Sequence, residues 1–165
     1  MFLFRKAVLQ DFPNVYALKQ AVIQNPYPGM SWSETYPSQE ILKNDIETGS
    51  LFLLLAKTEQ LIGAVSINET YDIHYQSVNW KTPCPALYMH RLFIAPDHRG
   101  KHFGEILIDF IENEARRQKY RSIRFDSCST NTPAHLLYTR CGYTRCGEIP
   151  LTGKNGTFYT FEKTL

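Results

Sequence analysis

The stretch Ala95-Pro96-Asp97-His98-Arg99-Gly100-Lys101-His102-Phe103-Gly104 combines the residue types that a pyrophosphate group requires of a protein. Glycine lets the backbone approach phosphate oxygens, and Arg99 and Lys101 add positive charge. If a helix begins on this loop, its first-turn N–H groups lack intrahelical partners and supply a partial positive field. The chemistry supported is anion binding. It is not a Walker loop, because the Gly-Lys-Ser/Thr order is absent. Two glycines and two cations fit equally well an ordinary strand-to-helix turn with a solvated basic tip. A second element therefore has to decide, and about thirty residues later Asn131, Ala134, Leu137, Tyr138, Gly142 and Tyr143 supply one.

A loop can hold an anion in this way only if a strand delivers it and a helix starts from it. Ala86 to Ile94 reads as that strand, the fourth along the chain. Phe103, Ile106, Leu107, Phe110 and Ile111 then recur at i, i+3, i+4, i+7 and i+8, the stripe of a buried helix. Glu105, Asp109, Glu112 and Asn113 are expected on its opposite face. Upstream, Phe2 to Ala7 reads as a first strand, and Asp11 offers an N-cap to a helix carrying Val15, Leu18, Ala21 and Val22. Asn25 to Gly29 breaks that helix, and Pro37-Ser38 caps a short second one that runs to Thr48 and stops at Gly49. Leu51 to Lys57 and Leu61 to Ile67 form a hairpin, and Asn68 to Pro85 a long connection. Downstream, Ser122 to Phe125 is a fifth strand. Asn131-Thr132-Pro133 caps a helix that ends before Cys141-Gly142. Tyr143 to Ile149 and Thr157 to Lys163 close as an antiparallel pair around Gly153-Lys154-Asn155-Gly156.

With both motifs in place, the chain resembles the GNAT superfamily of acyl-CoA N-acyltransferases over nearly its whole length. The family loop reads Arg/Gln-x-x-Gly-x-Gly/Ala. Arg99 and Gly104 match its ends, Gly100-Lys101 is common there, and His102 replaces the middle glycine. A helical φ is expected for His102, since it requires nothing special; the alternative is a ring that donates to a phosphate. The later stretch resembles the family's Asn-x-x-Ala-x-x-Leu-Tyr-x-x-x-Gly-Phe pattern, with Tyr143 at the final position.

The resemblance implies a three-layer α/β (α+β) fold in one domain over residues 1–165. Its sheet would be mixed, mostly antiparallel and twisted, with six to seven strands, helices on both faces, and strands four and five parallel and splayed. It implies transfer of an acetyl (acyl) group from acetyl-CoA, a cosubstrate, to a primary amine of a small molecule or peptide, without a metal. Arg99, Gly100, Lys101, His102, Phe103 and Gly104 would hold the pyrophosphate. The backbone of Leu92, Phe93 and Ile94 would pair with pantetheine, one of its N–H groups polarising the thioester carbonyl. Asn131 would contact the pantetheine arm, and Tyr138 would act as general acid toward the departing thiolate. A phenol of pKa about 10 is protonated at neutral pH and can serve in that way. The alternative for Tyr138 is a helix tyrosine packed on the core.

An amine of pKa about 10.4 must lose a proton before it attacks. Glu69, at the end of the third strand, and His90, on the fourth, are the candidate acceptors, directly or through water. Asp126, at the end of the fifth strand, is a weaker third. A surface carboxylate and an ordinary strand histidine are the bland readings of the first two. Two aromatic segments, one with Tyr27, Trp32 and Tyr36 and the other with Tyr71, His74, Tyr75 and Trp80, would wall an apolar or cationic acceptor or else cover the sheet.

Composition excludes other classes. The 165 residues are 43% apolar and 21% charged with a net charge of +2, ordinary for one globular domain and too weakly basic to imply nucleic acid. Arg116, Arg117, Lys119, Arg121 and Arg124 are the densest cations, read as a solvated face near a helix C-terminus. Cys84, Cys128, Cys141 and Cys146 have neither zinc spacing nor a leader before them, so free thiols in the cytoplasm are expected. The longest apolar run, Leu51 to Ala56, is far below the roughly 20 residues of a membrane span. A homodimer is expected only by analogy with the resembling proteins. A catalytically silent CoA-binding sensor or interaction module is the alternative to an enzyme.

Overall fold

The computed structural model describes residues 2–165. The strands are β1 (Leu3–Lys6), β2 (Leu51–Leu55), β3 (Leu61–Asn68), β4 (Ala86–Ile94), β5 (Ser122–Cys128), β6 (Thr144–Ile149) and β7 (Phe158–Thr164). The helices are α1 (Phe12–Gln24), α2 (Gln39–Glu47), α3 (Phe103–Arg117) and α4 (Thr132–Arg140). Every predicted element is present in the predicted order. The hydrogen-bonded strand order is β1-β2-β3-β4-β5-β7-β6, a mixed sheet of the α+β class. The β1–β2, β2–β3, β5–β7 and β6–β7 pairs are antiparallel. β4 and β5 are parallel, with Ala86, Leu87 and Tyr88 opposite Ser122, Ile123 and Arg124.

The described residues divide into two compact units. The first takes the chain up to Pro26, then Trp32–Ile67 and His90–Phe110; the second takes Tyr27–Ser31, Asn68–Met89 and Ile111–Leu165.

In the first unit, every residue of β2 is buried, as expected of a strand covered on both faces. Val15 and Val22 of α1, Leu42 and Ile46 of α2, and Leu107 and Ile108 of α3 are buried in its core. Phe110 stacks on Phe4 at 4.4 Å, tying α3 to β1. The Ser38 hydroxyl accepts from the Ile41 N–H and caps α2, and Gly49 ends that helix region at φ 67°. Asp11 departs from its predicted role. Its own backbone is already helical, because a 3₁₀ turn over Leu9–Asp11 runs straight into α1. Its carboxylate accepts from the Val8 N–H, ahead of that turn, and pairs with Arg5. Gly63 in β3 is required by close approach to β4: a Cβ there would lie 2.8 Å from the Phe93 carbonyl oxygen.

In the second unit, Phe125 of β5 packs against Tyr138, Tyr143 and Phe161 at 4.4, 4.9 and 5.5 Å. A second cluster joins Tyr75, Ala86, Tyr88, Ile149, Leu151 and Phe158. The connection from Asn68 to Pro85 is thus partly core, with Tyr75 only 2% exposed. Two charged residues predicted at the surface are buried. Arg124 donates to Glu162 (3.0 Å) and to the Thr82 carbonyl, and lies over the Trp80 ring. Both faces of β5 are covered at this point, and Glu162 beside it on β7 with Trp80 and Thr82 over it takes Arg124 out of the expected basic face. Glu112, on the predicted polar face of α3, is buried where Lys163 of β7 reaches it at 2.7 Å, while Asp109 and Asn113 of that face stay exposed; Lys163 also donates to the Cys141 carbonyl at the end of α4.

All four cysteines are free thiols. Among the described residues no helix is long and apolar enough to cross a membrane.

Asp72 anchors the partly buried connection, accepting from the His74 N–H (3.0 Å), the His74 ring (2.6 Å) and the Thr152 N–H (3.0 Å). Burial opposes its charge, but these bonds prevail and hold its pKa at about 2. A depressed carboxylate stabilises the fold fully above its unfolded pKa of about 3.9 and ceases to do so as pH falls toward 2. Asp72→Asn is expected to cost about 2 kcal/mol at pH 7. In urea titrations the gap to the parent protein should close between about pH 4 and pH 2; equal stability at pH 7 would contradict this.

Candidate functional site

Ten of the predicted site residues, His90 among them, lie on one continuous stretch of the first unit. Leu92, Phe93 and Ile94 end β4, and the Ala95 N–H then bonds the Ile62 carbonyl at 2.8 Å. A 3₁₀ turn over Pro96–His98 follows, Arg99 is extended, and α3 opens at Phe103 and Gly104. Gly100 has φ 71°, the left-handed region that glycine enters without steric cost. Nothing lies within 4 Å of where a Cβ would sit on Gly100, so glycine serves its conformation there and not a lack of room.

His102 corrects the sequence expectation. Its φ is 63°, left-handed and not helical. A residue with a Cβ pays about 1–2 kcal/mol for that conformation, and histidine is among the types that tolerate it best. The reason lies in the turn: two left-handed residues flanking Lys101 are needed to bring an extended Arg99 onto the first turn of α3. The ring of His102 meets Glu105 at 2.9 Å, and its carbonyl accepts from Ile106. Left-handed residues in such turns let successive N–H groups line one concavity, which is how anions are cradled.

The two loop cations are tethered. The Arg99 guanidinium donates to the Asn25 carbonyl at 2.5 Å and the Val22 carbonyl at 3.5 Å, at the C-terminal end of α1. Lys101 donates to the Asp97 carbonyl at 2.7 Å. Both cations therefore keep their charge close to the loop backbone. The first-turn N–H groups of α3, the open glycine and two fixed cations fit a pyrophosphate.

Sequence reasoning missed Arg91. In the middle of β4 it has φ 49°, and its guanidinium makes a two-point ion pair with Asp45 of α2, Nε to Oδ2 at 2.6 Å and Nη2 to Oδ1 at 2.7 Å. The available signal was an arginine beside His90, between the apolar residues Ala86 to Met89 and Leu92 to Ile94. His90, half-buried, precedes it on the same strand. Trp32 packs on Phe93 at 5.1 Å, with Tyr36 at 6.5 Å from Trp32.

The second unit carries the other predicted residues. Asn131 caps α4, its side chain accepting from the Ala134 N–H at 3.3 Å. Tyr138, on α4, is buried against Phe125 and Phe161. Burial above all, with the nearby Tyr27, Asp126 and Cys141, pushes its phenol pKa far upward, so it holds its proton throughout the working range. The loop Tyr27–Ser31 is pressed on the start of α4: the Thr130 hydroxyl donates to the Gly29 carbonyl, and a Cβ on Gly29 would fall on the Thr130 carbonyl. Glu69 is exposed and accepts from the Tyr120 hydroxyl at 2.8 Å; burial and Glu69 push that phenol to about 12. Asp126 lies inside β5, which extends to Cys128, and accepts from the buried Tyr75 hydroxyl at 2.6 Å. Of the second aromatic segment, Tyr75 belongs to the core and Tyr71 is exposed.

The model of the Acetyltransferase (GNAT) family matches residues 18–143. The chain belongs to the GNAT acetyltransferase family. The matched span includes β4, the loop, α3 and α4 through Tyr143. This GNAT chain is 26% identical over 89 residues to a streptothricin acetyltransferase of Escherichia coli. That match covers 54% of the chain and only 44% of the relative's length. A GNAT acetyltransferase of Streptococcus agalactiae has the same fold, with TM-score 0.80 and 18% identity over 99% of this chain and 95% of that one. One from Listeria monocytogenes gives 0.77 and 23%, over 99% and 95%.

The left-handed backbone at His102 orders a mutant series. His102→Gly should be at least as stable as the parent, and His102→Val should lose about 1–2 kcal/mol, because β-branched residues resist φ above zero. Thermal melts read this directly. A helical φ would reverse the order, with glycine the least stable of the three.

Proposed function

We propose that the chain is an acetyl-CoA-dependent N-acetyltransferase acting on a primary amine of a small molecule or peptide. The observation that carries this reading is the run from β4 through left-handed Gly100 and His102 onto the N-terminus of α3, which has the donors and charge a pyrophosphate needs. In this reading the backbone of Gly100 to Gly104 binds the pyrophosphate, Leu92 to Ile94 bind the pantetheine arm, and Asn131 adds a polar contact to it. Bound acetyl-CoA supplies the acyl group as a thioester with a thiolate leaving group. An N–H of β4 polarises the carbonyl as the amine attacks it directly.

Tyr138 is the proposed general acid. Its buried phenol keeps a proton on Oη and gives it to the departing sulfur. Glu69 and His90 are the proposed acceptors of the amine proton. For Glu69, the Tyr120 hydroxyl bond fixes the carboxylate on one side and favours a defined direction of approach.

The test is CoA release over a panel of amines that includes streptothricin, the compound for which the Escherichia coli relative is named. At least one amine should be turned over, and Tyr138→Phe should lower kcat by about 100-fold or more with acetyl-CoA affinity retained. Because the phenol stays protonated, loss of Tyr138 should depress the rate evenly across pH 6 to 9 and leave the shape of the profile unchanged. An unchanged rate in Tyr138→Phe would remove it as the acid. Binding without release for any amine would make the chain a CoA sensor.

A further inference from the structure

Arg91 holds a left-handed backbone in the interior of a strand, with no glycine to make that easy. Such a residue costs about 1–2 kcal/mol and persists only where its surroundings impose it. Here they do. Asp45 grips the guanidinium at two points, and the paired side chains are 14% and 4% exposed. The Ser66 hydroxyl of β3 donates to the same Asp45 Oδ2 at 2.6 Å. The Tyr36 phenol, from the segment ahead of α2, also bonds Arg91. Two separate stretches of the first unit, α2 through Asp45 and the segment of Tyr36, therefore reach one residue of β4, and β3 secures Asp45 through Ser66.

Stability does not account for this arrangement, since apolar residues of similar volume commonly match or exceed a buried ion pair. What the pair does impose is conformation. One left-handed residue interrupts the alternation of a strand and re-aims everything that follows, as β-bulges do beside active sites. The residues that follow are Leu92, Phe93 and Ile94.

We propose that Asp45 and Arg91 are positioning residues for acyl transfer: their ion pair locks the kink in β4 and so aims the backbone groups of Leu92 to Ile94. This rests on the acetyltransferase reading above. Ser66 secures the carboxylate. Tyr36 links the clamp to the aromatic segment containing Trp32, so that segment and the kink are held by the same arginine. Asp45 and Arg91 touch no reacting atom; they act through the β4 backbone.

Two double variants separate the kink from the charge. Asp45→Leu with Arg91→Met removes the pair, keeps the volume, and leaves a residue that resists φ above zero. Asp45→Asn with Arg91→Gly also removes the pair but lets residue 91 stay left-handed. The first should fold, move residue 91 to an extended φ by NMR, and lose about 100-fold in kcat, the scale of a 1 Å misplacement, with a smaller loss of acetyl-CoA affinity, about tenfold or less, because Leu92 to Ile94 also hold the pantetheine arm. The second should keep the left-handed φ and recover most of that kcat. Equal loss in both, or full kcat in the first, would overturn the proposal. If the first does not fold, Ser66→Ala serves in its place. Loosening Asp45 by one hydrogen bond should lower kcat about threefold at unchanged Kd, and no change in kcat would count against the clamp. The φ of residue 91 is read without any substrate. A parent protein that turns over no amine therefore refutes the acetyltransferase reading, whereas an extended φ in the parent refutes the clamp.

Discussion

The first turn of α3 carries N–H groups that no carbonyl of its own helix can satisfy, and that constraint organises the region around it. The loop before it is bent by left-handed Gly100 and His102, so an incoming strand meets the helix end within a few residues. The same loop answers the opposite deficit at α1, whose last carbonyls also lack helical partners. Arg99 reaches Val22 and Asn25 there, so a single turn serves the donor-rich end of one helix and the acceptor-rich end of another. The Arg99 charge is thereby held in place without any ligand, and such preorganisation lowers the ordering cost of binding.

Buried charges repeat this logic elsewhere in each unit. Arg91 with Asp45 fixes a kinked strand, Arg124 with Glu162 fastens the connection around Thr82, and Lys163 with Glu112 ties β7 to α3 while capping α4. None of these is needed to gather apolar surface, since the leucines, valines and phenylalanines around them do that. Each selects one backbone path where apolar packing alone would allow several. In the second unit the consequence for chemistry is clearest at Tyr138, whose surroundings of Phe125 and Phe161 exclude water and keep the phenol neutral.

Much of this was legible in the sequence because it depends on local patterns. The 3.6-residue period of Phe103 to Ile111, the Ser38 and Asn131 caps and the Gly49 stop each specify structure within a few residues. The loop and the Tyr138 helix could be paired as a family signature for the same reason. What was not legible depends on partners far along the chain. Glu112 reads as a polar-face residue until β7 brings Lys163 beside it, 51 positions later. Arg124 reads as one of a basic group until Glu162, 38 positions later, takes it inward. Arg91 reads as an ordinary strand residue, since nothing near it announces Asp45, 46 positions earlier. His102 was misread for a different reason: a helical φ is the cheaper local choice, and the turn's need for a second left-handed residue is visible only once Arg99 and α3 are both in place.

The central claim is that the backbone from Gly100 to Gly104 binds a pyrophosphate, and a crystal structure of the chain with acetyl-CoA tests it most directly. The pyrophosphate oxygens should accept hydrogen bonds from N–H groups of that stretch at about 2.7–3.2 Å. Acetyl-CoA seated with its pyrophosphate elsewhere, or no binding at saturating concentration, would contradict it.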